Sequence, residues 1–269
     1  MHKPQILSLL CLCAVAVGLA AKVQAAEPTF KHKSLTRWLE LYQEAKPGSS
    51  QQARSAAAVC ALGTNAVPYV VQMLSSGDAR SEQAAATAFA ILGPLGAPAI
   101  PALTTLLKGS DPVTTVLAAN SLGKIGAPAL PALMEALTNH QFNVSTLAAF
   151  AIVQLGTNAT PAIPVFVHDL SDSDHLVRER AADALGNLRL QPDLVVPALT
   201  NLLGDDSLAA RCLALSSLGR FQVSALQAVK TIEPLLNDPE KNVRISATNA
   251  LCEIEPARFQ RSSLFPLAN

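Results

Sequence analysis

Residues 171–188 read SDSDHLVRERAADALGNL, a polar turn that leads into an Ala-rich segment ending at Leu-Gly. Asp and Ser in such a turn favour a helix start, because their side-chain oxygens accept hydrogen bonds from free backbone N–H groups. Ala181 and Leu185 stand four residues apart, so they share one face of the predicted helix. The glycine after Leu185 suits the left-handed position just past a helix end. The segment therefore predicts one capped helix with a buried Ala/Leu face.

The same pattern recurs through the chain with a period of 30–33 residues. The Leu-Gly pairs are Leu62-Gly63, Leu92-Gly93, Leu122-Gly123, Leu155-Gly156, Leu185-Gly186 and Leu218-Gly219, and Leu251-Cys252 is the last copy. An alanine precedes each leucine by four residues: Ala58, Ala88, Ala118, Ala151, Ala181, Ala214 and Ala247. A second series opens a short apolar segment in each unit: Pro68, Pro101, Pro131, Pro164 and Pro197, with Lys230 in the sixth place. Two series with one period predict a stacked array of two-helix units.

We therefore predict an all-α solenoid of about seven antiparallel helix pairs between Ser34 and Glu255, without a sheet. A divergent pair over residues 34–65, which contains Trp38 and Tyr42, is predicted to cap the array, as terminal repeats do. Six repeats are predicted over residues 66–255. Residues 26–33 are predicted to be a linker, and residues 256–269 a tail that is loose or packed across the last pair.

The N-terminal residues resemble a secretory signal. Lys3 precedes an apolar run of 16 residues, Ile6–Ala21, and small residues then allow cleavage between Ala25 and Ala26. The run is shorter than the roughly 20 residues needed to span a bilayer as a helix. We expect residues 1–25 to be a signal peptide and the protein to be exported, periplasmic or extracellular, with an uncleaved membrane anchor as the alternative. No later segment suggests a membrane span.

Composition argues against several function classes. The chain has 20 Lys+Arg and 20 Asp+Glu residues, and only 4% of it is aromatic. Nucleic-acid-binding proteins normally show a basic surplus or stripe, so we expect no nucleic acid partner. A Gly-rich phosphate loop, a Gly-x-Ser-x-Gly elbow and a His-Glu-x-x-His metal site are all missing from the sequence. We expect a non-enzymatic, monomeric protein without a cofactor.

The repeats resemble the HEAT family, especially its short bacterial HEAT-like repeats, over roughly Ser34 to Glu255. The similarity is best in Leu194–Glu255 and Ser171–Leu188. In both, an Asp in the turn precedes an Arg of the second helix by six residues: Asp172/Arg178, Asp205/Arg211 and Asp238/Arg244. The resemblance implies a right-handed solenoid whose second helices line the concave side. It also implies that these six residues form a ladder between adjacent units, although the preceding units have Ala85, Thr115 and Ala148 at the Arg place.

Charge is distributed unevenly along the repeats. Ser81–His168 contains five charged residues in 88, whereas Asp169–Arg261 contains 23 in 93. The central units should therefore have an unusually apolar exterior. Positions three and six before the Leu-Gly glycine predict an apolar patch of Leu117, Phe150 and Val153, with Asn120, Arg180 and Asp183 at its edge. These residues either form a docking groove for another protein or fill contacts between repeats.

Two further readings stay open. His168, Asp169, Asp172, Asp174 and His175 fall within eight residues, so they either bind a divalent cation or form a solvated turn. The favoured function is an exported scaffold or adaptor that binds another protein of unknown identity along the concave face. The alternative is a ligand-handling or lyase-like role on a cofactor or modified protein, as in the pigment-lyase relatives of HEAT-like repeats. A deep pocket with convergent polar groups would favour that alternative.

Overall fold

The computed structural model describes residues 25–139 and 141–259, in which fourteen α-helices form seven consecutive pairs. The first four pairs are α1 (Leu35–Glu44) with α2 (Ser50–Leu62), α3 (Val67–Leu74) with α4 (Ala79–Leu92), α5 (Ile100–Leu107) with α6 (Pro112–Ile125), and α7 (Leu130–Leu137) with α8 (Phe142–Gln154). The last three are α9 (Ile163–Asp169) with α10 (His175–Leu188), α11 (Pro192–Asn201) with α12 (Leu208–Arg220), and α13 (Val229–Ile232) with α14 (Lys241–Ile254). The predicted α-solenoid of seven pairs is confirmed.

The turn inside each pair starts the second helix through side-chain hydrogen bonds. In four successive units an Asp or Asn side chain accepts a bond of 2.8 Å from the backbone N–H two residues later: Asn139 from Gln141, Asp172 from Asp174, Asp205 from Ser207 and Asp238 from Glu240. Asp78, Asp111, Asp174 and Ser207 then cap α4, α6, α10 and α12. The predicted capping by the polar turn is confirmed, and it fixes where each second helix begins.

The core is a continuous seam between the two helix layers. All seven alanines and all seven leucines of the repeat pattern are buried. Consecutive second helices pack directly on one another from α2 to α14, and the first helix of each pair packs against its second helix to cover the core. Because each unit contacts mainly its neighbours, burial is shared along the array rather than gathered in one central core.

The Leu-Gly glycines have two different structural roles. Gly63, Gly93 and Gly156 adopt positive φ angles of 56°, 50° and 56° at helix ends, as predicted. Gly123, Gly186 and Gly219 instead lie inside α6, α10 and α12, so the prediction was wrong for these three. Helix α6 is ended by Gly126, and α10 by Arg189, which takes the left-handed conformation itself.

Gly186 allows α10 and α12 to approach closely. A Cβ atom at this position would lie 2.2 Å from Ser217 Oγ and 2.8 Å from Ser217 Cα. Ser217 is fully buried, and its hydroxyl donates a 2.8 Å hydrogen bond to the Ala182 carbonyl on α10. The absence of a side chain at Gly186 is therefore a packing requirement, not a backbone one.

Two details differ from the sequence-based expectation. Pro68, Pro101, Pro131 and Pro164 lie in the first turn of their helices, but Pro197 lies inside α11, which begins at Pro192. The predicted linker forms most of an antiparallel hairpin of β1 (Thr29–Phe30) and β2 (Lys33–Ser34). Strand β2 extends to Ser34, where no sheet was predicted. Of the predicted tail, residues 256–259 are described, and Phe259 is buried against the core. Residues 1–24 of the predicted signal peptide, and residues 260–269, lie outside the described residues.

Two segments of the described chain are long and apolar enough to cross a membrane, judged by length and composition alone. By that criterion the expectation that no later segment suggests a membrane span was wrong. The two segments are Ser50–Leu74 and Ala79–Leu107. Each consists of a second helix followed by the first helix of the next unit, and each is interrupted by a glycine with positive φ, Gly63 or Gly93. Both segments contribute residues to the core of the array.

Candidate functional site

A groove of about 550 Å³ lies along α8 and α10 and is bounded by α12. Its apolar lining includes Phe150, Val153, Leu176 and Leu213, and its polar lining includes Glu179, Arg180, Asp183 and Asn187. We call it the central groove. Four of the six predicted patch residues therefore line one groove: Phe150, Val153, Arg180 and Asp183.

The two remaining predicted residues lie on α6, outside the central groove. Leu117 is half-buried and packs against the core. Asn120 is also half-buried, and its Oδ1 accepts a 3.0 Å hydrogen bond from Gln154 Nε2 on α8. Both residues thus contribute to contacts between repeats, which was the second interpretation of the predicted patch.

Phe150 is the most distinctive residue of the central groove, because 52% of it is exposed. Val153, by contrast, is half-buried against the core. An aromatic ring left half in water is not filling a contact between repeats. Of the predicted apolar residues, Phe150 is the one available to a partner.

A second groove, of about 600 Å³, adjoins the first between α6 and α8. Thr146 lines both grooves. Exposed Val116 lines this second groove, and exposed Val113 lies one turn before it on α6. We call the surface that carries Val113, Val116, Phe150 and Leu176 the second-helix face.

Sequence reasoning missed three of these exposed residues. It used only the places three and six before the Leu-Gly glycine, whereas Val116 stands seven before it and Val113 and Leu176 stand ten before it. All these offsets lie close to one face of a helix with 3.6 residues per turn. A wider helical stripe would have included them.

Arg180 was predicted at the edge of the patch, but its side chain is inside the wall, with 8% exposed. Its Nη1 donates to Ser145 Oγ at 2.7 Å and its Nη2 to Asp169 Oδ2 at 3.5 Å. The buried Nε–H has no acceptor among the described residues. Burial raises the pKa of Asp169 above its usual range, and the charge of Arg180 opposes this rise only in part.

One rung of the implied ladder is formed between adjacent units. Arg178 Nε donates to Asp205 Oδ2 at 2.7 Å and Arg178 Nη2 to Asp205 Oδ1 at 2.8 Å, which makes a bidentate pair. Nη2 also reaches Asp206 Oδ1 at 2.6 Å. The Arg178 and Asp205 side chains are only 11% and 9% exposed. This pair fixes α10 to the turn that starts α12.

The other ladder residues act within their own units. Arg178, Arg211 and Arg244 each donate from Nη1 to the carbonyl of the Asp six residues earlier, namely Asp172, Asp205 and Asp238. Arg211 bonds only to carbonyl groups of its own turn, so no ion pair between Arg211 and Asp238 is seen among the described residues. The three arginines therefore brace their own turns, and Arg178 alone of them also crosses to the next unit.

The Arg178–Asp205 pair gives a prediction for acid stability. Burial opposes ionisation of Asp205, but hydrogen bonds from Arg178 and the Ser207 N–H outweigh it and lower the pKa of Asp205 below its ordinary value of 3.8. The ionised carboxylate therefore stabilises the fold above that pH, and this contribution is lost as pH falls through the lowered pKa. Melting curves recorded down to pH about 3 should show a steeper acid decline for the wild type than for Asp205→Asn. Parallel declines would contradict a stabilising Asp205 charge.

The residues of the His/Asp cluster do not meet as a candidate metal site in the described structure. His168 Nδ1 lies 3.8 Å from the carboxylate of the adjacent Asp169, and His175 Nδ1 lies 3.8 Å from that of the adjacent Asp174. In the described part of the chain, no group of three or more His, Cys, Asp or Glu side chains is arranged to hold a metal ion. Cys60, Cys212 and Cys252 form no disulfide in the part of the chain that the structure describes.

This two-layer array of helix pairs defines the chain as an α-solenoid. The family model for HEAT repeats matches residues 68–152 and, in an overlapping register, residues 100–186. The chain belongs to the HEAT-repeat family through these repeats. The matched region includes residues 171–186 of the predicted Ser171–Leu188 unit and none of Leu194–Glu255, although the resemblance is also strong there.

A solved structure shows the same fold at low sequence identity. A chain in the structure of Kap95p with RanGDP is 15% identical with a TM-score of 0.53, and the alignment covers 84% of this chain and 36% of that one. A chain of the CpcE–CpcF complex of phycocyanin lyase from Nostoc sp. PCC7120 is 22% identical with a TM-score of 0.49, and the alignment covers 57% of this chain and 98% of that one. A search of curated proteins found no significant match.

Proposed function

We propose that this HEAT-repeat chain is a non-enzymatic scaffold or adaptor that binds another protein along the second-helix face. The observation that carries the proposal is Phe150, a large aromatic residue that is 52% exposed beside the apolar lining of the central groove. Contiguous exposed apolar surface usually marks an interaction site, because its burial by a partner is favourable.

The arrangement of polar groups favours a protein partner over a small ligand. Glu179 accepts a hydrogen bond from Ser207, Asp183 pairs with Arg220 at 3.1 Å, and Arg180 is held by Ser145 and Asp169. These groups form hydrogen bonds or ion pairs with other residues of this chain, and they do not make up a catalytic arrangement. A lyase-like or ligand-handling role would need convergent polar groups that face a bound molecule.

We further propose that the protein works outside the cytoplasm, because Lys3, the apolar run and the Ala25/Ala26 site follow the secretory pattern. N-terminal sequencing of protein from fractionated cells checks this. Ala26 as the first residue of a periplasmic or secreted form supports export. An intact Met1 in a cytoplasmic fraction contradicts it.

Phe150→Asp should abolish binding of the partner while the free energy of unfolding changes by less than about 1 kcal/mol. A charge on an already exposed ring position removes apolar contact area and adds a desolvation penalty at the interface, but it disturbs few internal contacts. Co-purification of the partner with tagged protein gives the first measurement, and urea denaturation gives the second.

A photo-crosslinking amino acid at position 150 gives an independent test, with position 223 as the matched control. Val223 is even more exposed, at 66%, but lies in the connection between α12 and α13, away from the central groove. A product formed at 150 and absent at 223 supports the groove. Equal products at both positions, or a Phe150→Asp variant that unfolds, would refute it.

A further inference from the structure

We propose that the segment seated in the central groove is an extended peptide of the partner, in which a bulky apolar residue lies close to a lysine or arginine. This inference rests on the proposed function and specifies the chemistry of the partner.

The charge around the central groove is the first argument. Arg180 also lines a neighbouring cavity of about 390 Å³, which we call the acidic cavity because Asp169, Asp172 and Asp174 contribute to its wall. Together with Glu179 and Asp183 of the central groove, five carboxylates and the one guanidinium of Arg180 line the two cavities. Asp183 is also paired with Arg220, which lines neither cavity. The guanidinium of Arg180 is already bound by Asp169 and Ser145.

Asp172 and Asp174 are the carboxylates of the acidic cavity with which a cationic side chain of the partner could pair, although His175 Nδ1 lies 3.8 Å from Asp174. Each accepts a backbone N–H, at 2.8 and 2.9 Å, and within the described ranges neither pairs with a Lys or Arg side chain. The charge of Asp172 adds to burial in raising the pKa of Asp169. A cationic side chain entering the acidic cavity would complement this potential, whereas an acidic segment would be repelled.

The hydrogen-bonding groups of the wall favour an extended conformation. Arg180 Nε and Thr146 Oγ1 are buried and have no hydrogen-bond partner in the described structure, and both residues line the central groove. An extended segment offers backbone carbonyl and N–H groups along its length, whereas an α-helix uses most of these internally.

The size of the site sets the spacing of the two residues. Asp174 caps α10 beside the acidic cavity, and Asp183 lies nine residues further along, at the central groove. At 1.5 Å per helical residue this is about 14 Å, which an extended chain spans in about four residues. The apolar and basic residues of the partner should therefore lie within about four residues of each other.

A random dodecapeptide phage library tests the inference. It is selected on the immobilised full chain and counter-selected on Phe150→Ser. Selected peptides should combine a bulky apolar residue with Lys or Arg at the expected spacing. A synthetic copy should bind about tenfold more weakly to Asp172→Asn/Asp174→Asn, and added salt should weaken binding to the wild type. Asn retains the capping hydrogen bonds, so this variant should fold.

Asp111→Asn is the matched control, because Asp111 caps α6 but lines neither cavity. It should leave the affinity for the peptide unchanged. Proline placed between the apolar and basic residues should be tolerated by an extended peptide and not by a helical one.

The outcomes separate the two proposals. Three results would overturn this inference and leave the proposed function intact, provided that the peptides depend on Phe150. The selected peptides could lack basic residues, bind Asp172→Asn/Asp174→Asn as tightly as the wild type, or lose binding when proline is introduced. Selection that yields no peptide dependent on Phe150 overturns both.

Discussion

Gly186→Ala should lower the free energy of unfolding by about 2–3 kcal/mol, although alanine is the better helix former. The new Cβ would meet Ser217 at three atoms, at 2.2 Å from Oγ, 2.5 Å from Cβ and 2.8 Å from Cα. Ser217 cannot turn away cheaply, because it is fully buried and its hydroxyl bonds to the Ala182 carbonyl. Overpacking of a tight core typically costs about 1–3 kcal/mol, and loss of a buried hydrogen bond adds to this.

Gly123→Ala is the matched control for this packing effect, measured by urea denaturation of both variants. Gly123 has the same Leu-Gly place in α6, but the added Cβ would meet the Gln154 side chain at 3.1–3.2 Å, and that side chain can move. The gain in helix propensity of about 1 kcal/mol should then offset most of the contact. Equal losses in the two variants would show that helix packing does not distinguish these glycines.

The contrast between Gly93 and Gly186 marks the limit of prediction from the sequence. The Leu-Gly pairs recur in register with the buried alanines, which was enough to predict seven helix pairs. The same dipeptide ends α4 at Gly93 but continues inside α10 at Gly186. What decides between these roles is how closely the next second helix approaches, and that distance depends on packing between units.

In the candidate site, too, helical spacing predicted the position of some residues correctly and of others wrongly. Helical spacing predicted Phe150 and Val153 on one face, and both line the central groove. It placed Leu117 on the same face, but that residue packs against the core instead. It also put Arg180 at the solvent edge, because nothing in the spacing indicates that Ser145 and Asp169 hold its guanidinium inside the wall.

The ladder arginines are a third case. Their spacing from the turn Asp predicts the contact within a unit but does not predict the contact with the next unit. An Arg six residues after a turn Asp reaches the carbonyl of that Asp in all three units. Whether it also reaches the next unit depends on the relative placement of two turns, which a single unit does not encode. Only Arg178, of these three arginines, makes the bidentate contact with Asp205.

Arg178→Ala should therefore destabilise the array more than Arg211→Ala, and Arg211→Ala more than Arg220→Ala. Removal of Arg178 leaves the Asp205 carboxylate, 9% exposed, without its ionic partner, and it also frees the carbonyl of Asp172. Breaking a buried pair from one side is strongly destabilising, because the remaining charge stays desolvated. We expect the melting temperature to fall by roughly 5 °C or more.

The two other arginines test whether contact between units is the cause. Arg211→Ala removes hydrogen bonds to the carbonyls of Asp205 and Asp206, within one turn. Arg220→Ala removes a pair with Asp183 whose side chains are 36% and 49% exposed, and such pairs contribute little because water screens them. If Arg211→Ala lowered the melting temperature as much as Arg178→Ala, bracing of the turns, and not the contact from α10 to the next unit, would be the main stabilising role of these arginines.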